Sequence, residues 1–172
     1  MGHVIWTLDE SIGAIPAQRD FWLSNCGCRE DNGSKCSKGM KVCLGFTEEA
    51  TSTPHGREKI GRDGVEKLLV FAREQNLVPR PYLDEAGNVT AVCFCCPCCC
   101  SYIKGSYPNI PGKSIEATDM AACLSCGACV ELCYFGARKL VDGVLKVDKD
   151  KCYGCGVCVP GCPPGAIAMI KR

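Results

Sequence analysis

The sequence predicts an α+β fold with two parts: a small cysteine-rich N-terminal domain over residues 1–112 and a C-terminal domain with an internal repeat over residues 113–172. Three observations lead to this prediction. One cysteine pattern occurs twice in the C-terminal part, with an offset of 29 residues between Cys123 and Cys152. The N-terminal part contains one clear amphipathic helical pattern. Its ten cysteines lie in stretches containing Gly, Ser and Pro, which predict irregular loops.

The repeated pattern is C-x2-C-x2-C-x3-C. It reads CLSCGACVELC from Cys123 to Cys133 and CYGCGVCVPGC from Cys152 to Cys162. This is the spacing of bacterial iron–sulfur proteins, in which three thiolates of one run share a [4Fe–4S] cluster with the fourth thiolate of the other run. The pattern therefore predicts two clusters. The expected ligands are Cys123, Cys126, Cys129 and Cys162 for cluster 1, and Cys152, Cys155, Cys158 and Cys133 for cluster 2.

Residues 114–172 resemble a bacterial two-cluster ferredoxin. The resemblance implies two repeats, each with a short hairpin, a cluster loop and a helical turn, related by a pseudo-twofold axis. One position departs from the family pattern: Pro163 follows Cys162 as the family has it, but Tyr134 follows Cys133. The resemblance therefore does not define the turn after Cys133 or the potential of the second cluster.

Local signals predict further elements of this C-terminal part. In Lys139–Val147 (KLVDGVLKV), Asp142 and Gly143 lie between two alternating arms, which predicts a β-hairpin. Ala166–Ile170 (AIAMI) fits a closing strand. Three glycines between the ligands predict backbone conformations that a β-carbon would block: Gly127, Gly154 and Gly156.

The main signals of the N-terminal part are a helix and a hairpin. Apolar residues recur with helical spacing in a helix expected from Arg62 to Gln75, at Val65, Leu68, Leu69 and Ala72. Asp63 and Glu66 predict a capping box. Tyr82–Val92 predicts a hairpin. Nearer the N-terminus, Val4–Leu8 fits a strand and Ala17–Leu23 a short helix.

The ten N-terminal cysteines predict additional metal ligands. They are Cys26, Cys28, Cys36 and Cys43, followed by Cys93, Cys95, Cys96, Cys98, Cys99 and Cys100 in CFCCPCCC. By their spacing in the sequence, Cys93, Cys96 and Cys99 form a C-x2-C-x2-C triplet, and Cys95 and Cys98 form a separate C-x2-C pair. Ten thiols suffice for two more four-thiolate clusters with two thiols left over, and one or two more [4Fe–4S] clusters are expected. A single zinc or iron site with bystander thiols, or uncoordinated thiols, are the alternatives, and spacing alone does not assign the ligands.

The composition of the sequence indicates in which compartment the protein is expected and what kind of partner it binds. The N-terminus lacks the basic region and long apolar core of a secretory signal, and no apolar run approaches the roughly 18 residues of a membrane span, so a cytoplasmic protein is expected. Thiols at this density indicate metal binding in a reducing compartment rather than disulfides. Each oxidised cluster adds a net charge of about −2 to the formal charge of +1, which favours a redox partner with a basic surface over nucleic acid.

Residues 20–172 also resemble a group of dicluster iron–sulfur proteins from anaerobic microbes, which implies electron transfer. The leading hypothesis is a low-potential electron carrier or an electron-transfer subunit of an oxidoreductase. No Ser-His-Asp set, H-E-x-x-H motif or phosphate loop is present in the sequence. One alternative is a redox enzyme or maturation factor whose N-terminal domain carries a reactive or unusual cluster. Another is a zinc-stapled docking module fused to a ferredoxin.

Overall fold

The computed structural model describes residues 3–33 and 36–172 and has mixed helices and strands, in agreement with the predicted α+β class. The strands are β1 (His3–Val4), β2 (Phe21–Asn25), β3 (Lys41–Gly45), β4 (Glu58–Ile60), β5 (Val78–Leu83), β6 (Val89–Cys95), β7 (Asn109–Ile110), β8 (Ser114–Thr118), β9 (Arg138–Val141), β10 (Val144–Val147) and β11 (Ile167–Lys171). The helices are α1 (Leu8–Ala14), α2 (Gly27–Asp31), α3 (Arg62–Glu74) and α4 (Ala128–Glu131), and Lys149–Lys151 forms a 3-10 turn.

A five-stranded antiparallel sheet organises the N-terminal part, with the order β4-β2-β3-β6-β5. Helix α3 packs on one face of this sheet, where Val65 and Leu68 join a buried core with Val92 and Phe94. Because side chains alternate between the two faces of a strand, the neighbouring Cys93 and Cys95 of β6 point away from α3 and belong to a different buried group. The sheet therefore separates an apolar core on one face from a cysteine-lined face on the other.

The predicted helix and hairpin of this part are confirmed with small changes. Helix α3 covers the predicted range except Gln75, but Gly61 is its N-cap and makes no side-chain capping bond, so the predicted Asp63–Glu66 capping box is wrong. Strands β5 and β6 form the predicted hairpin. Strand β5 begins earlier than predicted, at Val78, and accepts two prolines because it lies at the edge of the sheet.

Of the strand expected over Val4–Leu8, Val4 alone lies in a strand, β1, and the helix expected over Ala17–Leu23 is wrong. Leu8 begins helix α1 instead of ending a strand, because Thr7 and Glu10 form a capping box in which each side chain accepts a hydrogen bond from the other residue's backbone N–H, at 3.1 Å and 2.7 Å. The segment predicted as a helix over residues 17–23 instead leads into strand β2, which pairs with both β3 and β4. These long-range pairings override the weak local helical pattern.

The C-terminal part is built from two antiparallel strand pairs, β8 with β11 and β9 with β10. The predicted hairpin is confirmed, with Asp142 and Gly143 at φ of 51° and 75° in its turn. The predicted closing strand is confirmed as β11. Positive φ values recur at the 29-residue offset of the cysteine pattern, at Ser125, Gly127 and Gly136 and again at Gly154, Gly156 and Gly165.

Both parts of the chain contribute to one buried group of side chains. Ile5, Val78 and Cys95 belong to this group together with Val157 of the C-terminal part. Hydrogen bonds cross between the same two parts, including one of 2.8 Å from the Ser114 hydroxyl to a Glu10 carboxylate oxygen. Within residues 3–33 and 36–172, no helix is both long and apolar enough to cross a membrane.

Candidate metal centres

The C-terminal cysteines line two separate cavities. Cavity 1 is bounded by the loop before α4, the helix itself and the loop after Cys158, with Leu145 and Ile167 forming its apolar walls. Its four cysteines are Cys123, Cys126, Cys129 and Cys162. Each side chain of the set predicted for cluster 1 therefore lies at the same cavity.

Cavity 2 has the complementary set of cysteines. Phe135, Tyr153 and Met169 contribute to its walls. Its four cysteines are Cys133, Cys152, Cys155 and Cys158. Each run of the sequence motif thus supplies three thiols to one cavity and its last thiol to the other, as the motif's crossed pattern predicts.

Backbone N–H groups point at several of these sulfurs. The amide of Ser125 donates to Cys123 Sγ over 3.4 Å, and the amide of Ala137 donates to Cys133 Sγ over 3.2 Å. Burial raises the pKa of Cys155 to about 12 and that of Cys158 to about 11. A bound cation offsets this cost of ionising buried thiols, so the donor set and its environment fit an iron–sulfur cluster.

A first group of N-terminal thiols, the Cys36 set, brings the loop before β3 to the loop after β6. Its members are Cys36, Cys96, Cys98 and Cys99, whose Sγ atoms all lie within 4.8 Å of one another. Burial raises the pKa of Cys36, but a hydrogen bond with the Lys38 backbone and contacts with the neighbouring thiols bring it below the usual value overall. The set joins residues about 60 positions apart in the sequence.

A second group, the Cys26 set, lies around the start of α2 and the end of β6. Its members are Cys26, Cys28, Cys95 and Cys100, which line one cavity. Interactions with Cys100 and Cys26 lower the pKa of Cys28, and interactions with Cys28 and Cys95 raise the pKa of Cys100. These four thiols form a connected group of the size that a cluster requires.

A buried arginine lines the same cavity. Arg80 is 2% exposed, and its Nη1 donates to Cys100 Sγ over 3.5 Å while its guanidinium stacks on the Tyr102 ring at 3.8 Å. Its Nε and Nη2 atoms are buried and have no hydrogen-bond partner among the residues that the structure describes. Unpaired cationic N–H groups beside four thiols fit an anionic, sulfur-rich group such as an iron–sulfur cluster.

The two remaining N-terminal thiols pair across the sheet. Cys43 of β3 lies opposite Cys93 of β6, and the Ser52 amide donates to Cys43 Sγ over 3.2 Å. The hydrogen bond with Cys93 is the main cause that lowers the pKa of Cys43 to about 6. Cys93 therefore does not group with Cys96 and Cys99 as the pitch of the sequence suggests, because it still belongs to an extended strand.

Comparison with known proteins identifies part of the chain. The family model described as "4Fe-4S dicluster domain" matches residues 122–166, which include all eight cysteines of the two cavities. The C-terminal part contains a ferredoxin-type iron–sulfur domain. No curated protein matches the chain. The match to the ferredoxin-type domain and the number of cysteines support an iron–sulfur electron-transfer protein.

Within the ferredoxin-type domain, sequence analysis missed a buried ion network. Arg138 is 4% exposed, and its Nη2 contacts the Glu116 carboxylate and donates to Thr118 Oγ1 over 3.1 Å. Lys149 contacts the same carboxylate from the surface. A signal for this network is present in the internal repeat. The 29-residue offset aligns the charged Arg138 with the apolar Ile167, and this difference between the repeats marks Arg138.

The residue that departs from the ferredoxin pattern connects the two parts of the chain. Tyr134 donates from its hydroxyl to the Asn76 carbonyl over 2.9 Å, at the end of α3. Burial, and then the charges of Cys155, Cys96 and Cys98, raise the pKa of Tyr134. Tyr134 therefore connects the turn after Cys133 with the end of α3.

Proposed function

We propose that the protein is a low-potential electron carrier, or the electron-transfer subunit of a larger oxidoreductase, in an anaerobic redox system. The observation that carries this proposal is the pair of crossed four-cysteine cavities within the region that matches a dicluster domain. A bound [4Fe–4S] cluster supplies one-electron chemistry at a potential set by its protein environment. Such a protein transfers electrons without a substrate pocket.

We assign the ligands by cavity. Cavity 1 holds cluster 1 and cavity 2 holds cluster 2, with the crossed sets of four thiolates described above. The Cys26 set holds a third cluster, since its four thiols and the unpaired N–H groups of Arg80 suit an anionic group. The protein's own residues bind the clusters, donate hydrogen bonds to sulfur and exclude water from Cys129, Cys95 and Cys100.

The packing between the two parts supports electron transfer from one to the other. Cys155 of cavity 2 packs against the buried group that contains Cys95 and Cys100 of the Cys26 set. Tyr134 and Tyr153 pack against the same group, so cavity 2 and the Cys26 set are joined by packed side chains. The proposed direction of transfer is through the ferredoxin-type domain, with the N-terminal cluster as the next carrier.

The surface around cavity 1 suits contact with a redox partner. Cys126 is exposed, and Leu124, between two of the cavity's ligands, is 72% exposed. Met120 and Leu140 are also exposed apolar side chains of this domain. Each cluster adds a charge of about −2, so the proposed partner presents a basic rim around an apolar contact. We place this exchange in the cytoplasm.

Anaerobic electron transfer measurements test the proposal. The holoprotein is reduced with titanium(III) citrate and mixed in a stopped-flow instrument with an oxidised one-electron acceptor such as benzyl viologen. We expect the visible absorbance of the clusters to bleach on reduction and to return when the acceptor is added. Cys162→Ala, which removes a ligand of cluster 1, is expected to lose about four irons and to slow the transfer. A holoprotein that stays oxidised in the presence of the low-potential donor would contradict the proposal.

A further inference from the structure

We propose that the cysteine-rich part contains a mononuclear metal site in place of a fourth cluster. The site binds one tetrahedral divalent ion, Zn²⁺ or Fe²⁺, through the Cys36 set. This assignment does not depend on the proposed electron-transfer function, because it rests on the geometry of four N-terminal thiols alone.

The distances between sulfur atoms carry the proposal. Cys36 Sγ lies 3.6 Å from the Sγ atoms of both Cys96 and Cys98. The Cys96 and Cys98 sulfurs are 3.3 Å apart, and the Cys98 and Cys99 sulfurs are 3.7 Å apart. These four distances are similar to each other, and they join all four members of the set.

Such distances match a single ion and do not match a cube. Tetrahedral thiolate sites have metal–sulfur bonds of about 2.3 Å, which place neighbouring sulfurs about 3.8 Å apart. In a [4Fe–4S] cluster each thiolate binds a different iron, so its four ligand sulfurs are spread roughly 6 Å apart. A cube in the Cys36 set would require every sulfur to move outward.

The other cysteine groups provide an internal comparison. In the part of the chain that the structure describes, the Cys36 set is the one group of three or more potential ligands whose atoms all lie within 4.8 Å of one another. The cysteines of cavity 1, cavity 2 and the Cys26 set each surround a cavity and do not meet this limit. The described part of the chain thus contains three open sets of thiols and one compact set.

Two features of the surrounding chain suit a closed site. Asn32 Nδ2 donates to Cys99 Sγ over 3.4 Å. This donor spreads the negative charge that four thiolates keep around a divalent ion. Four protein ligands leave no open position, which is typical of a structural rather than a catalytic ion.

The position of the set indicates what the ion does. Cys96 follows directly after β6, and the Cys100 amide donates to the Cys96 carbonyl over 3.1 Å, so the loop from Cys96 to Cys100 is a tight turn. An ion held there and by Cys36 fixes this turn against the loop before β3. The same turn supplies Cys100 to the Cys26 set, so the ion would position a ligand of the third cluster.

Metal analysis of the anaerobically purified full-length protein tests the proposal. Iron, sulfide and zinc are counted per chain, and X-ray absorption at the zinc and iron edges reports the ligands. The variant Cys98→Ala is compared with Cys126→Ala, because both wild-type side chains are exposed and belong to different sets. Each sample is also measured after zinc chloride has been offered and the excess removed.

We expect the wild-type protein to contain about one zinc, or about one iron in excess of sulfide, in an all-sulfur shell at about 2.3 Å. Cys98→Ala should lose this ion and keep its sulfide content and the EPR spectrum of its reduced clusters. Cys126→Ala should lose about four irons and four sulfides and keep the ion. Loss of about four irons and four sulfides from Cys98→Ala would overturn the assignment. A wild-type protein without either ion after zinc treatment would also overturn it.

Discussion

The Nη1 atom of Arg138 donates a hydrogen bond to the Sγ atom of Cys129 over 3.4 Å. Cys129 lines cavity 1, whereas the arginine side chain also lines cavity 2. A buried cation therefore touches both proposed cluster sites. The repeat-related residue is the apolar Ile167, so this arginine is not repeated although the cysteine spacing is.

Replacing this arginine is expected to lower the potential of cluster 1. Arg138→Ile copies the residue at the repeat-related position and removes the hydrogen bond to Cys129, while Glu116 keeps its contact with Lys149. A hydrogen bond to a charged group contributes about 1.5–3 kcal/mol. About 1.4 kcal/mol corresponds to roughly 60 mV for one electron, so the potential should fall by roughly 60–130 mV. Redox titration followed by EPR measures the change.

Arg138→Lys is the control for this variant, because it keeps the positive charge and loses the planar group that reaches Cys129 and Glu116 together. We expect a smaller shift in the potential. If the potential of cluster 1 were the same in Arg138→Ile and in the wild type, the arginine would have no electrostatic role at this site.

A single methyl group at Gly154 is expected to remove cluster 2. Gly154 has a φ of 79°, and a β-carbon there would lie 1.9 Å from the Ser114 carbonyl oxygen. The loop between Cys152 and Cys155 would have to move away from β8, which displaces two ligands. Gly154→Ala should therefore lose about four irons and four sulfides per chain.

Gly143→Ala is a matched control for Gly154→Ala. Gly143 has a similar φ of 75° and lies in the same domain, but apart from its chain neighbours no atom of the described residues lies within 4 Å of a β-carbon built there. This variant has the cost of a left-handed backbone conformation, about 1–2 kcal/mol, without the clash. It should keep its full iron content, and equal losses from both variants would show that backbone strain alone disrupts the site.

Tyr134→Phe is expected to weaken the contact between the two parts of the chain. The variant keeps the ring and removes the hydrogen bond to the Asn76 carbonyl, which should lower the free energy of unfolding by about 0.5–1.5 kcal/mol. Anaerobic thermal denaturation measures this as a lower Tm, and hydrogen exchange should increase at the end of α3. Tyr153→Phe is the control, because Tyr153 packs its ring against that of Phe135 with the ring centroids 4.7 Å apart. Equal Tm values for Tyr134→Phe and the wild type would contradict the account.

Local signals in the sequence predicted much of the C-terminal part. The C-x2-C spacing places three thiols on one tight loop. The turn at Asp142-Gly143 requires two consecutive residues with positive φ, a conformation that Asp and Gly readily adopt. The crossed lining of the cavities follows from the same pattern. Helix α3 could also be predicted, because its apolar residues occur at regular helical spacing over 13 residues.

Interactions between residues distant in sequence explain what could not be predicted. Cys36 meets Cys96 only because the sheet brings the loop before β3 to the end of β6. The division of the cysteines from Cys93 to Cys100 depends on where β6 ends, since alternation applies up to Cys95 and a turn begins after it. The strand β2 likewise requires β3 and β4 as partners.

The count of iron and sulfide in oxygen-free protein, combined with EPR of the dithionite-reduced form, tests the central claim most directly. That claim is that the crossed cysteines of the ferredoxin-type domain hold two [4Fe–4S] clusters, with a third at the Cys26 set. We predict about twelve irons and twelve sulfides in clusters, and reduced spectra broadened by magnetic coupling between neighbouring clusters. Protein that contains fewer than about eight irons and gives no cluster signal after reduction would contradict it.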